Sequence, residues 1–110
     1  MHPMAIEEIT IDELAARCDA GGVVLDVRNL DEYVEVRVPG VVLIPLPELQ
    51  ARHGEIPDVE VVNVICRSGA RSARAVELLV ANGIDAVNVI GGMLAWIDSG
   101  RPVDSGPPGS

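Results

Sequence analysis

The sequence predicts an α/β fold, a parallel sheet of about five strands with helices on both faces. Short β-branched runs alternate with amphipathic helical stretches along the chain, which is the order a parallel sheet with crossover helices requires. The clearest runs, residues 23–27, 61–65 and 86–90, lack a regular polar face and so read as strands buried on both sides. At 110 residues the chain holds one domain with a real core. That core is aliphatic, since the sequence has no Phe, one Tyr and one Trp.

Ile9 reads as a short edge strand, and Thr10 with Glu13 as a capping box that opens the first helix. Ile11, Leu14, Ala15 and Cys18 recur on one face of that helix, so Cys18 reads as a packed core residue rather than a thiol that pairs with the second cysteine. Gly21-Gly22 end the helix, and residues 23–27 form the next strand. Asp26 and Arg28 stand at its carboxyl end, where open α/β sheets place their ligands. Asp26 is read as a structural ion-pair partner, and Arg28 either as the cation of that pair or as a charge at the site.

Asn29 and Glu32 suggest a second capping box, with Leu30, Tyr33 and Val34 as the buried side of a short helix. Arg37 follows, either at the rim of a pocket or, more plainly, solvated. Pro39-Gly40 turn the chain into a strand over residues 41–44. Residues 46–52 read as a brief helix with Pro47 in its first turn, closed near Gly54, and His53 as a charge partner for its end. A polar connector, residues 56–60, leads to the strand 61–65. After the last strand, Gly91-Gly92 allow a tight turn into a helix carrying Met93, Leu94, Trp96 and Ile97, with Trp96 most simply a core residue. Residues 1–7 read as an N-terminal extension, 8–103 as the domain, and the Gly-Pro-Ser-rich residues 104–110 as a disordered tail.

The stretch 61–83 carries the chemistry. Cys66 stands where its strand stops; the loop Arg67-Ser68-Gly69-Ala70-Arg71 follows, and Ala73, Val76, Leu79 and Val80 then recur at helical spacing until Gly83. The unpaired N–H groups of a first helical turn and of a tight Gly-containing loop form a concavity that prefers anions, and a thiolate is such an anion. A free cysteine titrates near about 8.5, so a thiolate that dominates at neutral pH needs a drop of about two units, or about 2.7 kcal/mol. A helix end supplies roughly 0.3 to 1 kcal/mol of that. Loop amides and the guanidinium groups of Arg67 and Arg71 are expected to supply the rest. Residues 61–76 contain no Asp or Glu, so the loop is basic on a chain of net charge −9.

That charge argues against nucleic acid and anionic membranes as partners, both of which favour a basic face. All eight basic residues are Arg, which excludes a lysine Schiff base. The two cysteines are far apart and lack metal-ligand spacing, so neither a disulfide framework nor a metal site is expected, and no cofactor is implied. The opening Met-His-Pro-Met has no basic region followed by an apolar run, and no stretch approaches a membrane span, so a cytoplasmic location is the expectation.

Cys66-Arg67-Ser68-Gly69-Ala70-Arg71-Ser72 resembles the active-site loop of the rhodanese family, in particular its single-domain sulfurtransferases. Leu25-Asp26-Val27-Arg28, Asp31-Glu32-Tyr33, Pro39-Gly40, Ile44-Pro45 and Gly91-Gly92 through Trp96 fall in that family's order and spacing, over residues 9–103. One departure stands out: Val36-Arg37-Val38 replaces the Gly-His-Ile that usually precedes Pro-Gly. The resemblance implies the rhodanese fold and sulfur transfer by double displacement. Cys66 would be the nucleophile and the loop amides from Arg67 to Ser72 the anion cradle, with Arg67 and Arg71 orienting a small anionic donor such as thiosulfate. Asp26, Arg28 and Arg37 would stand behind them, Trp96 near the wall of the site, and a protein or small thiol would accept the sulfur. Cysteine phosphatase or arsenate chemistry is the first rival, but its arginine normally follows the cysteine after five residues, where this chain has Ser72. A non-catalytic module that docks a partner or carries sulfur is the second.

Overall fold

A computed structural model describes residues 6–109. A five-stranded sheet in the order β1-β5-β4-β2-β3 forms its centre, with β1 Glu8–Ile9, β2 Val23–Asp26, β3 Val42–Leu43, β4 Val62–Ile65 and β5 Ala86–Val89. Every pairing is parallel, and β4 lies in the middle with β2 and β5 beside it. The expected α/β architecture is therefore the one observed. The two edge strands are only two residues long, which leaves little unpaired backbone at either margin.

Alternation along the strands sends side chains to two separate cores. Leu25, Val62, Val64, Cys66 and Ala86 face one side, where α4 (Ala70–Ala81) covers them with Ala75, Val76 and Leu79, and α3 (Leu49–Arg52) adds Leu49. Val24, Ile65, Val87 and Val89 face the other, under Ile11 and Leu14 of α1 (Ile11–Asp19) and Met93 and Trp96 of α5 (Gly92–Asp98). Cys66 thus continues the Val62, Val64 register and points toward α4. Leu25, Leu14 and Leu79 are fully buried, so truncating any of them to Ala costs about 2 to 5 kcal/mol.

Helix ends follow their caps. The Glu13 N–H donates to the Thr10 hydroxyl at 3.2 Å at the start of α1, and the Asn29 N–H to the Glu32 carboxylate at 3.1 Å at the start of α2 (Leu30–Glu35). Pro47 begins a 3₁₀ turn, Leu46–Glu48, that leads into α3, and a second 3₁₀ turn, His53–Glu55, follows it. No described helix is long and apolar enough to cross a membrane.

Three expectations change. The α4 helix begins at Ala70, inside the expected loop, because Gly69 adopts φ +116° and turns the chain early. Leu30 is half exposed and α2 buries no residue fully. Trp96 is a core residue, as its sequence reading has it, and packs with Cys18, Val38 and Pro102 around a cavity on the α1 side, its indole N–H donating to the Pro102 carbonyl at 2.9 Å. The residues after Val103 do pack: Arg37 and Asp104 form an antiparallel bridge, and the Gly106 N–H donates to the Val34 carbonyl at 2.8 Å. Residues 1–5 of the expected extension and Ser110 of the tail lie outside the described residues.

Arg37, read from sequence as solvated or at a pocket rim, is only 5% exposed and belongs to this tail contact. Its guanidinium donates to the carbonyls of Gly106 at 2.7 Å and Tyr33 at 3.1 Å and lies 4.2 Å from the Tyr33 ring centroid. A buried cation held this way loses its shorter hydrogen bond, to the Gly106 carbonyl, if the tail goes. Truncation after Val103 is expected to cost about 1 to 3 kcal/mol, read as a lower urea midpoint with an unchanged slope; an unchanged midpoint would show the tail contact to be idle.

Candidate active site

Cys66 immediately follows β4, at the carboxyl end of the central strand. Its side chain is 1% exposed. The Gly69 N–H donates to Sγ at 3.1 Å, and the Ser72 hydroxyl oxygen lies 3.2 Å away. Burial pushes the Cys66 thiol up; the N–H groups of Ser72, Gly69 and Ser68 pull it down and prevail, so it lies below its ordinary value. The sulfur therefore sits where several main-chain donors converge.

Backbone geometry makes that convergence possible. Gly69 caps α4 from the left-handed region, which an L side chain enters only under strain, and so directs the first N–H groups of the helix back toward β4. On the other side, the opening turn of α5 holds the loop by its carbonyls: Met93 N–H donates to Cys66 O at 2.9 Å and Leu94 N–H to Arg67 O at 3.1 Å. Gly92 allows that approach. A Cβ there would overlap the Cys66 carbonyl oxygen and stand 2.7 Å from that of Arg67. With the loop carbonyls held by α5, its amides remain turned to the sulfur.

The two loop arginines differ. Arg67 is exposed and has no ion-pair partner among the described residues; it lines a hollow of about 190 Å³ with Arg28, Glu32, Val36, Leu94 and Ile97. Arg71 is already engaged, both its terminal nitrogens donating to the Glu32 carboxylate at 2.7 and 2.8 Å. The loop is basic in sequence, but the fold brings an acid from α2 to it. The Arg71 guanidinium holds the Glu32 carboxyl at about 2, and Glu32 in turn pushes Arg71 up.

Asp26 and Arg28 form a closed pair. Arg28 Nη2 lies 2.7 Å from Asp26 Oδ2, the Arg28 N–H donates to Oδ1 at 3.0 Å, and the side chains are 3% and 0% exposed. Arg28 also donates to the Val36 carbonyl at 2.7 Å. Deleting one partner of such a pair leaves a buried charge, at a cost of about 3 to 5 kcal/mol. Of the residues singled out in the sequence, Ser68, Gly69 and Ser72 bring their N–H groups to Cys66 and Arg28 borders the adjoining hollow. Arg37 is tied to the tail, and Asp26 is spent on Arg28.

Three contributors lie outside that set. Asn88 on β5 accepts the Ser72 hydroxyl proton at 2.5 Å and donates to the Gly69 carbonyl at 3.3 Å, while Glu8 on β1 accepts from the same amide at 3.0 Å. Glu32 joins α2 to the loop. Asn88 had a signal, a polar residue in an otherwise apolar buried strand, since a buried amide needs partners.

Residues 10–99 match the family model described as the rhodanese-like domain. A putative sulfur carrier protein of Bacillus subtilis is 36% identical over 95 residues, covering 84% of this chain and 51% of that protein, so the chain spans about half the length of that relative. A sulfurtransferase of Allochromatium vinosum is 35% identical over 101 residues, covering 89% of this chain and 94% of that one. Among solved structures, a rhodanese-like domain protein from Staphylococcus aureus superposes with a TM-score of 0.80 at 38% identity, over 91% of this chain and all of that one.

The Glu32 carboxyl fixes a pH dependence. Its folded value is depressed from 4.5 to about 2, so its contribution to stability is present above about 4.5 and is lost as pH falls through 2. Acid titration of unfolding free energy is expected to fall across that window by at most about 3 kcal/mol from this group, and Glu32→Gln should flatten the fall. An equal slope in the variant would show the pair to be energetically silent.

Proposed function

This chain belongs to the rhodanese-like domain family, and from that premise we propose that it moves sulfane sulfur from a small anionic donor to a thiophilic acceptor through a persulfide on Cys66. Sulfur transfer in general accords with relatives named as sulfurtransferases and as a putative sulfur carrier. The observation that carries the finer reading is the buried Cys66 sulfur, with the Gly69 N–H 3.1 Å away and the thiol held below its ordinary value.

In the first half-reaction the Cys66 thiolate attacks the outer sulfur of thiosulfate. A new S–S bond forms, the S–S bond of the donor breaks, and sulfite leaves with the electron pair. The outer sulfur of the resulting persulfide bears the negative charge, and the amides of Ser68 to Ser72 stabilise it without reorganising. A nucleophilic acceptor then attacks that outer sulfur and returns Cys66 to the thiolate. No external oxidant or reductant enters either half.

The arginine roles divide under this reading. Glu32 neutralises much of Arg71, so Arg67 is the cation free to meet an incoming oxyanion, and Arg71 serves chiefly to fix the loop against α2. The hollow beside Arg67 is edged by Leu94 and Ile97, each 47% exposed, beside the charged Arg28, Glu32 and Glu35. Apolar side chains at the mouth of the site favour an acceptor thiol carried on a protein over a free hydrophilic thiol.

Intact-protein mass spectrometry after thiosulfate treatment tests the proposal. The expected result is a gain of one sulfur atom, absent in Cys66→Ser and retained in Cys18→Ser; a gain that survives Cys66→Ser removes the nucleophile assignment. In steady-state transfer to cyanide, Arg67→Ala is expected to raise KM for thiosulfate about five- to tenfold, the loss of roughly 1 to 1.4 kcal/mol, and Arg71→Ala to raise it less. The reverse order would make Arg71 the donor's anchor.

A further inference from the structure

The Ser72 hydroxyl touches two groups that both want its proton. Its oxygen is 3.2 Å from Cys66 Sγ and 2.5 Å from Asn88 Oδ1. A hydroxyl has one proton to give and an amide oxygen can only accept, so the orientation of the Asn88 amide decides the matter. That orientation is set by its nitrogen. Nδ2 lies 3.0 Å from a Glu8 carboxylate oxygen and 3.3 Å from the Gly69 carbonyl, two acceptors for its two protons. Rotating the amide would bring Oδ1 against both of those acceptors. Oδ1 therefore faces Ser72, and the Ser72 proton goes to Asn88.

We infer that Asn88 is a positioning residue that holds the Ser72 proton away from Cys66, so that Ser72 presents a lone pair, not a donor, to the sulfur. A lone pair accepts the S–H of the thiol and repels a full charge on Sγ. Backbone amides then keep the thiolate accessible, and the Asn88–Ser72 pair works against them. Resting on the persulfide reading above, this arrangement has a use: in a persulfide the charge lies on the outer sulfur and Sγ carries little. The pair destabilises the empty thiolate relative to the loaded enzyme, and so favours attack on a donor and retention of the sulfur afterward.

Other charges around Cys66 leave this contrast intact. Arg71 of α4 shares its charge with Glu32 of α2, and Asp26 and Arg28 at the end of β2 neutralise each other. Arg67 points from the loop into the exposed hollow, and Glu8 of β1 reaches the site only through Asn88.

The test is the pH dependence of Cys66 alkylation by iodoacetamide, with Cys18→Ser as the parent so that one thiol reports. Asn88→Ala frees the Ser72 proton to turn to the sulfur, and the alkylation midpoint should fall by about half a pH unit or more, roughly a threefold gain in thiolate fraction well below the midpoint. In a Ser72→Ala background the Asn88 substitution should move nothing. An unchanged or raised midpoint in Asn88→Ala, or a shift that persists without the Ser72 hydroxyl, overturns the inference. Should Asn88→Ala fail to fold, Ser72→Ala alone decides: a midpoint that does not rise supports the inference, and a rise shows that Ser72 donates to the sulfur and overturns it. The titration needs no sulfur donor, so a parent that never loads sulfur would refute the persulfide reading while leaving this measurement to judge the proton's direction. Where sulfur does load, Asn88→Ala should lose it faster in an intact-mass time course.

Discussion

A sulfur atom buried at the end of the central strand has to be compatible with a negative charge, and the rest of the site is arranged around that constraint. Desolvation opposes the charge, and a helix end offsets only roughly 0.3 to 1 kcal/mol of it. Hydrogen bonds to a charged group contribute about 1.5 to 3 kcal/mol each, so two or three converging amides outweigh the dipole severalfold. Main-chain donors win on magnitude. They also win on position, because Gly69 delivers its N–H to 3.1 Å from the sulfur.

Holding those donors in place falls to elements remote in sequence. The first turn of α5 takes the carbonyls of Cys66 and Arg67, the amide of Asn88 takes that of Gly69, and Glu32 takes the side chain of Arg71. Each contact removes one way for the loop to turn its N–H groups elsewhere. Two glycines permit this crowding for different reasons. Gly69 supplies a dihedral angle that side chains resist, whereas Gly92 supplies space, since any Cβ would meet the loop carbonyls. Preorganisation here is a matter of carbonyls tied down so that amides stay free.

What could be read from sequence follows from the range of each interaction. The parallel sheet, the strand ends and the caps at Thr10 and Asn29 are local or periodic, and they were legible. So was the placement of Cys66 between the end of β4 and the start of α4, because a thiol between a strand and a helix is a feature of adjacent residues. Glu32 was visible as a cap but not as the partner of Arg71, 39 positions away, since i,i+3 spacing reports only the helix it belongs to. Arg37 was misplaced for the same reason. Its acceptor at Gly106 lies 69 positions on, in a Gly-Pro-rich tail whose composition argued against packing. Asn88 showed that it needed partners without showing which.

On the proposed reading, the pairing of Arg71 with Glu32 also limits how the site would meet an anionic donor. Fields from exposed charges steer anions over a Debye length, about 8 Å at physiological salt, but a chain of net charge −9 with one of its two loop cations neutralised has little such field to offer. Amide dipoles do not compensate, because they act at hydrogen-bond distance. An anion in bulk solution is therefore drawn weakly and held well once inside. On the proposed sulfur-transfer reading, such a site would discriminate by contact rather than by attraction, and would suit an acceptor that docks at close range. The apolar Leu94 and Ile97 beside Arg67 fit that mode, because burying them against a docked surface stabilises the encounter without calling on charge. Affinity at the mouth and charge stabilisation in the cradle then rest on different forces, so a partner can be exchanged without retuning the sulfur.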